Sequence, residues 1–170
     1  LDVGRRIRKL PVIARVGDGF IGNRIYAAYR RQAELMVEEG AFPEEVDAAI
    51  EGFGFAMGPF GVSDLAGLDI AWSNRKRLAP TRDPRSRYVE IADRLCELGR
   101  FGQKTGAGWY RYSPGVRRGQ PDPEVRAMIE AHSKAKGIAR RAFAAEEIQW
   151  RALAAMVNEA ALLLAEGIAQ

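Results

Sequence analysis

Few residues of this 170-residue chain combine a versatile side chain with a setting that would aim it. Asn23 is the foremost. It stands in Gly19-Phe20-Ile21-Gly22-Asn23-Arg24, where a glycine-punctuated turn gives way to helical periodicity. An amide in the first turns of a helix can donate and accept at once, which suits holding a thioester or hydroxyl oxygen. The same position suits a helix cap, so position alone leaves both roles open. Lys104, in Gly102-Gln103-Lys104-Thr105-Gly106-Ala107-Gly108-Trp109-Tyr110, offers either a cation for a phosphate or a solvated lysine. Asp64 and Asp69 are five residues apart and would lie on different faces of a continuous helix, which argues against a carboxylate pair for acid/base work. Asp64, close after Gly58-Pro59, is expected to satisfy local backbone amides at a helix start. His132, in the polar stretch His-Ser-Lys-Ala-Lys, is expected to be exposed and to lack an activating carboxylate.

Other chemistries fail on spacing or number. Gly52-Phe53-Gly54-Phe55-Ala56-Met57-Gly58 misses the dinucleotide-binding spacing by one residue, follows a helical pattern and runs into a proline. Gly99 to Thr105 lacks the glycine that a phosphate loop places directly before its lysine; close backbone packing against a neighbouring domain is the expected use of these glycines. A single cysteine, Cys96, excludes an internal disulfide, and a single histidine excludes a multi-histidine metal site. The net charge of +4 comes largely from Arg75-Lys76-Arg77, Arg82, Arg85, Arg87 and Arg117-Arg118. Such clusters suit a phosphate-bearing ligand, a nucleic acid or simply a solvated surface. Trp72, Trp109 and Trp150 are scattered without an interleaved basic stripe, so they read as core or interface anchors. No apolar run is long enough to span a bilayer.

The elements that must position these residues are helical. Residues 11–17 form a β-branched run, a strand or extended linker. From Phe20 the apolar period becomes helical through Ile25, Tyr29, Leu35 and Met36, and Gly40 supplies a left-handed stop. Pro43, Glu44 and Glu45 open a second helix that turns Val46, Ala49 and Ile50 inward. A third helical region follows Gly58-Pro59 to about Leu78, with Leu65, Leu68, Ile70 and Trp72 as core candidates. Residues 88–98 form a short helix presenting Ile91, Leu95 and Leu98, and 109–112 a short extended element. Residues 113–123 read as linker, 123–136 as a polar helix, and 145–165 as a long apolar one.

In their order and spacing, the Gly19–Arg24 run, Met57-Gly58-Pro59-Phe60 with Asp64, and the Gly102–Tyr110 run resemble the C-terminal helical domain of the 3-hydroxyacyl-CoA dehydrogenase family, including the fatty-acid oxidation multifunctional enzymes. The match covers about Val12 to Tyr112, with a weaker echo from Glu146 to Ala169. The resemblance implies an all-α fold of the 6-phosphogluconate dehydrogenase C-terminal type. It implies an NAD-dependent oxidation of (3S)-3-hydroxyacyl-CoA in β-oxidation, with Asn23 as the active-site asparagine. NAD and a histidine–glutamate pair would lie on an upstream Rossmann domain, leaving this chain inactive alone. Acyl-CoA, that Rossmann domain and a second copy in a homo-oligomer are the implied partners, with no nucleic acid and no membrane span. The implied location is cytoplasmic in a bacterium, or peroxisomal or mitochondrial in a eukaryote. Lys104 could meet a coenzyme A phosphate. A related two-domain hydroxy-acid dehydrogenase, or a basic nucleic-acid-binding module, are the other readings.

Aligning Gly40 with Gly167, a shift of 127 residues, also aligns Arg24 with Arg151, Ala33 with Ala160 and Glu39 with Glu166. Two alanine-rich amphipathic helices can match so by chance; tandem copies of the helical unit are what the resemblance implies. In the echo Trp150 stands where Asn23 stands in the first copy. The expected organisation is therefore a linker tail from a missing domain over 1–16, the helical domain over 17–112, a linker and polar helix over 113–144, and the first helix of a truncated second copy over 145–170. The apolar face of that last helix (Ile148, Leu153, Met156, Leu163, Leu164) is expected to lack repeat partners and to bury itself in a dimer.

Overall fold

The computed structural model describes residues 1–116 and 118–169; Arg117 of the basic cluster and Gln170, the last residue of the expected second copy, lie outside them. The elements in order are α1 (Asp2–Arg6), α2 (Gly22–Glu39), α3 (Pro43–Phe53), α4 (Pro59–Ala66), α5 (Leu68–Leu78), α6 (Ile91–Glu97), β1 (Tyr110–Arg111), β2 (Gln120–Pro121), α7 (Pro123–Ala135) and α8 (Ala145–Ala165). Apart from the two-residue antiparallel pair β1–β2, with Tyr110 opposite Pro121, the architecture is the expected all-α one. Residues 11–17 are extended, with only a single bridge from Ala14 to Ala169.

α2 is the central helix. Tyr29, Ala33, Met36 and Val37 of α2 are buried against Val46, Ala49 and Ile50 of α3, Val125 and Ile129 of α7, and Ile148 and Ala152 of α8. Its C-terminus is closed by Gly40, at φ 145°, and by Arg140, whose guanidinium donates to the carbonyls of Val37 at 3.0 Å and Gly40 at 2.9 Å. A cation there satisfies both orphan carbonyls and the negative end of the helix dipole. α3 opens with Pro43 at its first position, and Glu45 reaches back to accept the Phe42 N–H at 2.8 Å.

The structure corrects several expectations. The region 59–78 is two helices, broken where Gly67 adopts φ 97°. On the short α4 the inner face is taken by Phe60, Ser63 and Asp64, so Leu65 turns outward; Ile70 and Leu98 are likewise exposed. Trp109 is a core anchor, but Trp150 is 73% exposed. His132 is buried, not exposed: Val125, Ile129 and His132 share one face of α7, and the imidazole Nε2 lies 2.9 Å from the buried carboxylate of Glu38. Polar composition misleads here because this buried face is sustained by hydrogen bonds as well as apolar contact. Burial alone would raise Glu38, but hydrogen bonds from Arg87 and His132 outweigh it and hold the carboxyl below its usual range.

α8 is the largest correction. Its face is covered within the same chain by α2 and α3, with Ile148, Ala152 and Leu163 buried and Met156 packed on the core. Leu164 alone of the expected stripe is well exposed. A charge at Leu163 must therefore act on folding, not on association. Leu163→Glu is expected to destabilise the chain by ~3 kcal/mol or more, read as a lowered urea midpoint; an unchanged midpoint would contradict this packing.

Candidate functional site

Two buried carboxylates tie the second and third sequence motifs together. Asp64 on α4 accepts the Trp109 N–H at 2.9 Å on one oxygen, and the Tyr110 N–H and Tyr112 hydroxyl at 3.0 Å on the other. It thus serves distant amides, contrary to the expectation of a local cap. The local work at the α4 N-terminus is done by Asp47 of α3, which accepts the Phe60 N–H at 2.9 Å and the Gly61 N–H at 2.8 Å. Asp47 also takes the Tyr110 hydroxyl at 2.8 Å, so the two carboxylates share one tyrosine.

The glycines of both motifs make this closeness possible. A Cβ on Gly58 would lie 2.3 Å from Asp47, and one on Gly108 would lie 2.1 Å from the Asp64 carboxylate. The glycine-rich loop therefore approaches α4 of its own chain. Burial pushes both carboxyls up to about 6, against the pull of the backbone and tyrosine donors. Burial and the Asp47 carboxylate also raise Tyr110.

The first motif joins through Tyr26, one turn beyond Asn23. Its hydroxyl lies 2.9 Å from Ser63 Oγ and 3.3 Å from the Pro59 carbonyl, pinning α2 to the start of α4. Asn23 itself is exposed, and no side chain caps the N-terminus of α2. Among the described residues its amide has no hydrogen-bond partner, so the capping role that position alone allowed is not the one it fills. Lys104, on the Gln103–Thr105 turn, donates to Asp69 at 2.5 Å and sits 5.9 Å above the Phe101 ring. That ion pair closes the turn around Gly67 and holds the Asp69 carboxyl below its usual range. No contact among the described residues brings Lys104 and Asn23 together.

A cleft of about 630 Å³ lies between α3, α4 and β1, floored by Asp47, Tyr110 and Tyr112 and walled by Met57 and Leu65. Neither Asn23 nor Lys104 lines it. Asp64 and Asp69 lie apart, as expected, but on separate helices and not on different faces of one, with Asp64 buried and Asp69 half-buried. Among the described residues no group of His, Cys, Asp and Glu side chains could hold a metal, and no helix is long and apolar enough to cross a membrane. The arginine clusters are engaged with acids and rings: Arg75 with Asp93, Arg85 with Asp83, Arg87 with Glu38 and Glu39, and Arg82 over Tyr88. Sequence reading missed Asp47 and Tyr26. Asp47 could have been found from its place beside Val46 and Ile50 on the inward face of α3, where an unpaired carboxylate is costly.

The two carboxyls give the fold a pH signature. Their folded values lie above the ordinary 3.8, so the folded state holds these protons more tightly than the unfolded chain. The stability this contributes is complete below about 3.8 and is lost as pH rises through about 6. Urea midpoints should therefore fall between about pH 4 and pH 6 and level off above that, and fall less in Asp64→Asn. That variant should also lose about 2–4 kcal/mol near neutrality, because an amide cannot accept both the Trp109 and Tyr110 N–H groups in place.

Comparison with known proteins fits this interlocked arrangement. The sequence profile of the family described as 3-hydroxyacyl-CoA dehydrogenase, C-terminal domain, matches residues 19–112. The peroxisomal bifunctional enzyme of Homo sapiens is 45% identical over 181 aligned positions, covering 99% of this chain and 25% of that protein. The crystal structure of the dehydrogenase part of multifunctional enzyme 1 from C. elegans superposes with a TM-score of 0.75 at 28% identity, over 98% of this chain and 37% of that one. The 3-hydroxybutyryl-CoA dehydrogenase of Escherichia coli shares the fold, with a TM-score of 0.72 at 21% identity over 99% of this chain and 51% of that one. The chain spans about a quarter of the length of the bifunctional enzymes it matches. With the profile covering more than half of its residues, and with the second and third motifs interlocked by Asp47 and Asp64, the chain belongs to the family of 3-hydroxyacyl-CoA dehydrogenase C-terminal domains.

Proposed function

We propose that this chain forms one wall of the substrate cleft of an NAD-dependent (3S)-3-hydroxyacyl-CoA dehydrogenase of fatty-acid β-oxidation. The observation that carries the reading is Asn23, an exposed amide without a hydrogen-bond partner among the described residues, on the first turn of α2, in a chain of this family. Its Nδ2 would donate to an oxygen of the acyl-CoA, with the positive end of the α2 dipole behind it. The residues present do not fit NAD: the glycines 52–58 follow a helix, Gly58 is packed on Asp47, and Pro59 opens α4. The cofactor is therefore assigned to a separate nucleotide-binding domain, the partner against which this wall would close. Lys104 keeps a weaker claim as a coenzyme A contact, since a phosphate would have to compete with Asp69. A peroxisomal setting is the one its similarity to peroxisomal bifunctional enzymes supports.

Residues 145–169 are proposed as the first helix of a second copy of the unit, and the ion pairs between α2 and α8 support this. Arg24 of α2 bonds Glu159 and Glu166 of α8, while Arg151 of α8 bonds Glu39 at 2.5 Å and Gln32 at 3.5 Å on α2. A shift of 127 residues turns the first set into the second, the reciprocity expected of two like units related by a twofold axis. Any homo-association would then use the outer side of α8, where Trp150, Val157 and Leu164 are exposed.

Two outcomes are expected. In the enzyme containing this chain, Asn23→Ala should lower kcat on 3-hydroxyacyl-CoA by roughly 10–1000-fold with NAD affinity unchanged; wild-type turnover would reduce Asn23 to a surface residue. The 170-residue chain alone should give no heat of binding when titrated with NAD, and micromolar binding would overturn the assignment of the cofactor elsewhere.

A further inference from the structure

The residue after Asn23 does not face solvent. Arg24 crosses to α8, where its Nε meets Glu159 and its Nη1 and Nη2 fork onto the two oxygens of Glu166 at 2.5 and 2.8 Å. The Arg24 side chain is 23% exposed, that of Glu159 18% and that of Glu166 48%. Ahead of Asn23 the backbone is tied to the same end of α8. The Arg15 N–H donates to the Ile168 carbonyl at 2.9 Å, Ala14 bridges Ala169, and Gly17 leaves room for the Ile168 side chain.

Between these two anchorages lies a strained step. Gly19 and Phe20 are both left-handed, at φ 77° and 49°. A phenylalanine holds that conformation only where its surroundings over-determine it. The Phe20 ring is more than half exposed and cannot do so by its own packing. Within the turn the Phe20 N–H donates to the Gly17 carbonyl at 3.1 Å and Asp18 meets Arg77 of α5 at 3.5 Å, both at the exposed surface; the tie before it, at 14–17, and the Arg24 fork after it anchor the turn to α8.

We infer that Arg24, Glu159 and Glu166 are positioning residues for the dehydrogenase reaction: they clamp the first turn of α2 from α8 and thereby aim the Asn23 amide. The inference rests on the assignment of Asn23 made above. It brings into the reaction two glutamates that lie beyond the residues 19–112 matched by the family profile. They act at a distance from substrate, through the placement of a reacting partner, where misplacement of about 1 Å can cost up to ~100-fold in rate.

The chain contains its own control. Arg151 makes the reciprocal pair with Glu39, but the residue before it is Trp150, not an asparagine. Loss of the Arg151 pair should loosen the same helix–helix contact without touching the amide.

The test uses the dehydrogenase formed by this chain with its nucleotide-binding domain. The double variant Glu159→Gln/Glu166→Gln should lower kcat by about 10–100-fold, with KM for NAD within about twofold of wild type. Partly exposed ion pairs contribute little to folding, so the variant should remain folded, with circular dichroism as the check. Arg151→Gln should leave kcat within about twofold. In an Asn23→Ala background the glutamate changes should have no further effect on kcat, because the group they position is gone. The clamp is overturned if the double variant keeps full kcat, if Arg151→Gln lowers kcat equally, or if the glutamate changes cost as much without Asn23 as with it. Full turnover in Asn23→Ala overturns the assignment of Asn23 and the clamp with it, whereas a normal Asn23→Ala loss beside an unaffected double variant overturns the clamp alone.

Discussion

Asp64 is wholly buried, and its two oxygens receive the amides of Trp109 and Tyr110 and the hydroxyl of Tyr112. Without those donors a carboxylate could not remain in such a place, and without the carboxylate two buried amides would be left unpaired. The dependence runs outward from there. Tyr110, fixed by Asp64, gives its hydroxyl to Asp47, and Asp47 caps the N-terminus of α4, the helix that carries Asp64. The circuit closes on itself, so its members stand or fall together. α4 in turn presents Ser63 and the Pro59 carbonyl to Tyr26, which places α2 one turn from Asn23.

This division of labour explains why the motif glycines and aspartates carry no chemistry of their own. They build the floor on which α2 rests, and the Asn23 amide lies outside the network, exposed and without a hydrogen-bond partner among the described residues. Polar groups that stabilise a fold have satisfied partners, whereas a group kept for a substrate has its partner supplied later. α2 and α8 exchange arginine–glutamate contacts in both directions, Arg24 with Glu166 and Arg151 with Glu39, and the residue before Arg151 is Trp150 whereas the residue before Arg24 is Asn23.

Much of this was legible beforehand. The helical period of Tyr29, Ala33, Met36 and Val37, the stop at Gly40, the Pro43 start and the apolar run of α8 all follow from local rules, and each element stands where those rules placed it. Asn23 was legible as a helix-terminal amide with two possible uses. The residues that resisted were those whose surroundings come from far along the chain. His132 reads as solvent-facing by its neighbours and is buried by Glu38, 94 residues away. Asp64 reads as a local cap and serves amides 45 and 46 residues on. Leu65 and Ile70 read as core and face outward, because Ser63, Asp64 and a helix break at Gly67 took the inner positions.

What the sequence by itself determined is the helical character of most segments, the stop at Gly40 and the start at Pro43, and the three motifs that mark the family, since backbone preference and apolar period act within a turn or two. The tertiary structure alone decided which polar groups are partnered and which are free. It turned Asp47 and Asp64 into one circuit, folded α8 onto α2 instead of leaving its face bare, and left Asn23 without a partner among the described residues. The physical reason is that a hydrogen bond or an ion pair is settled by distance in space, and side chains meet across a core only once several helices have packed together.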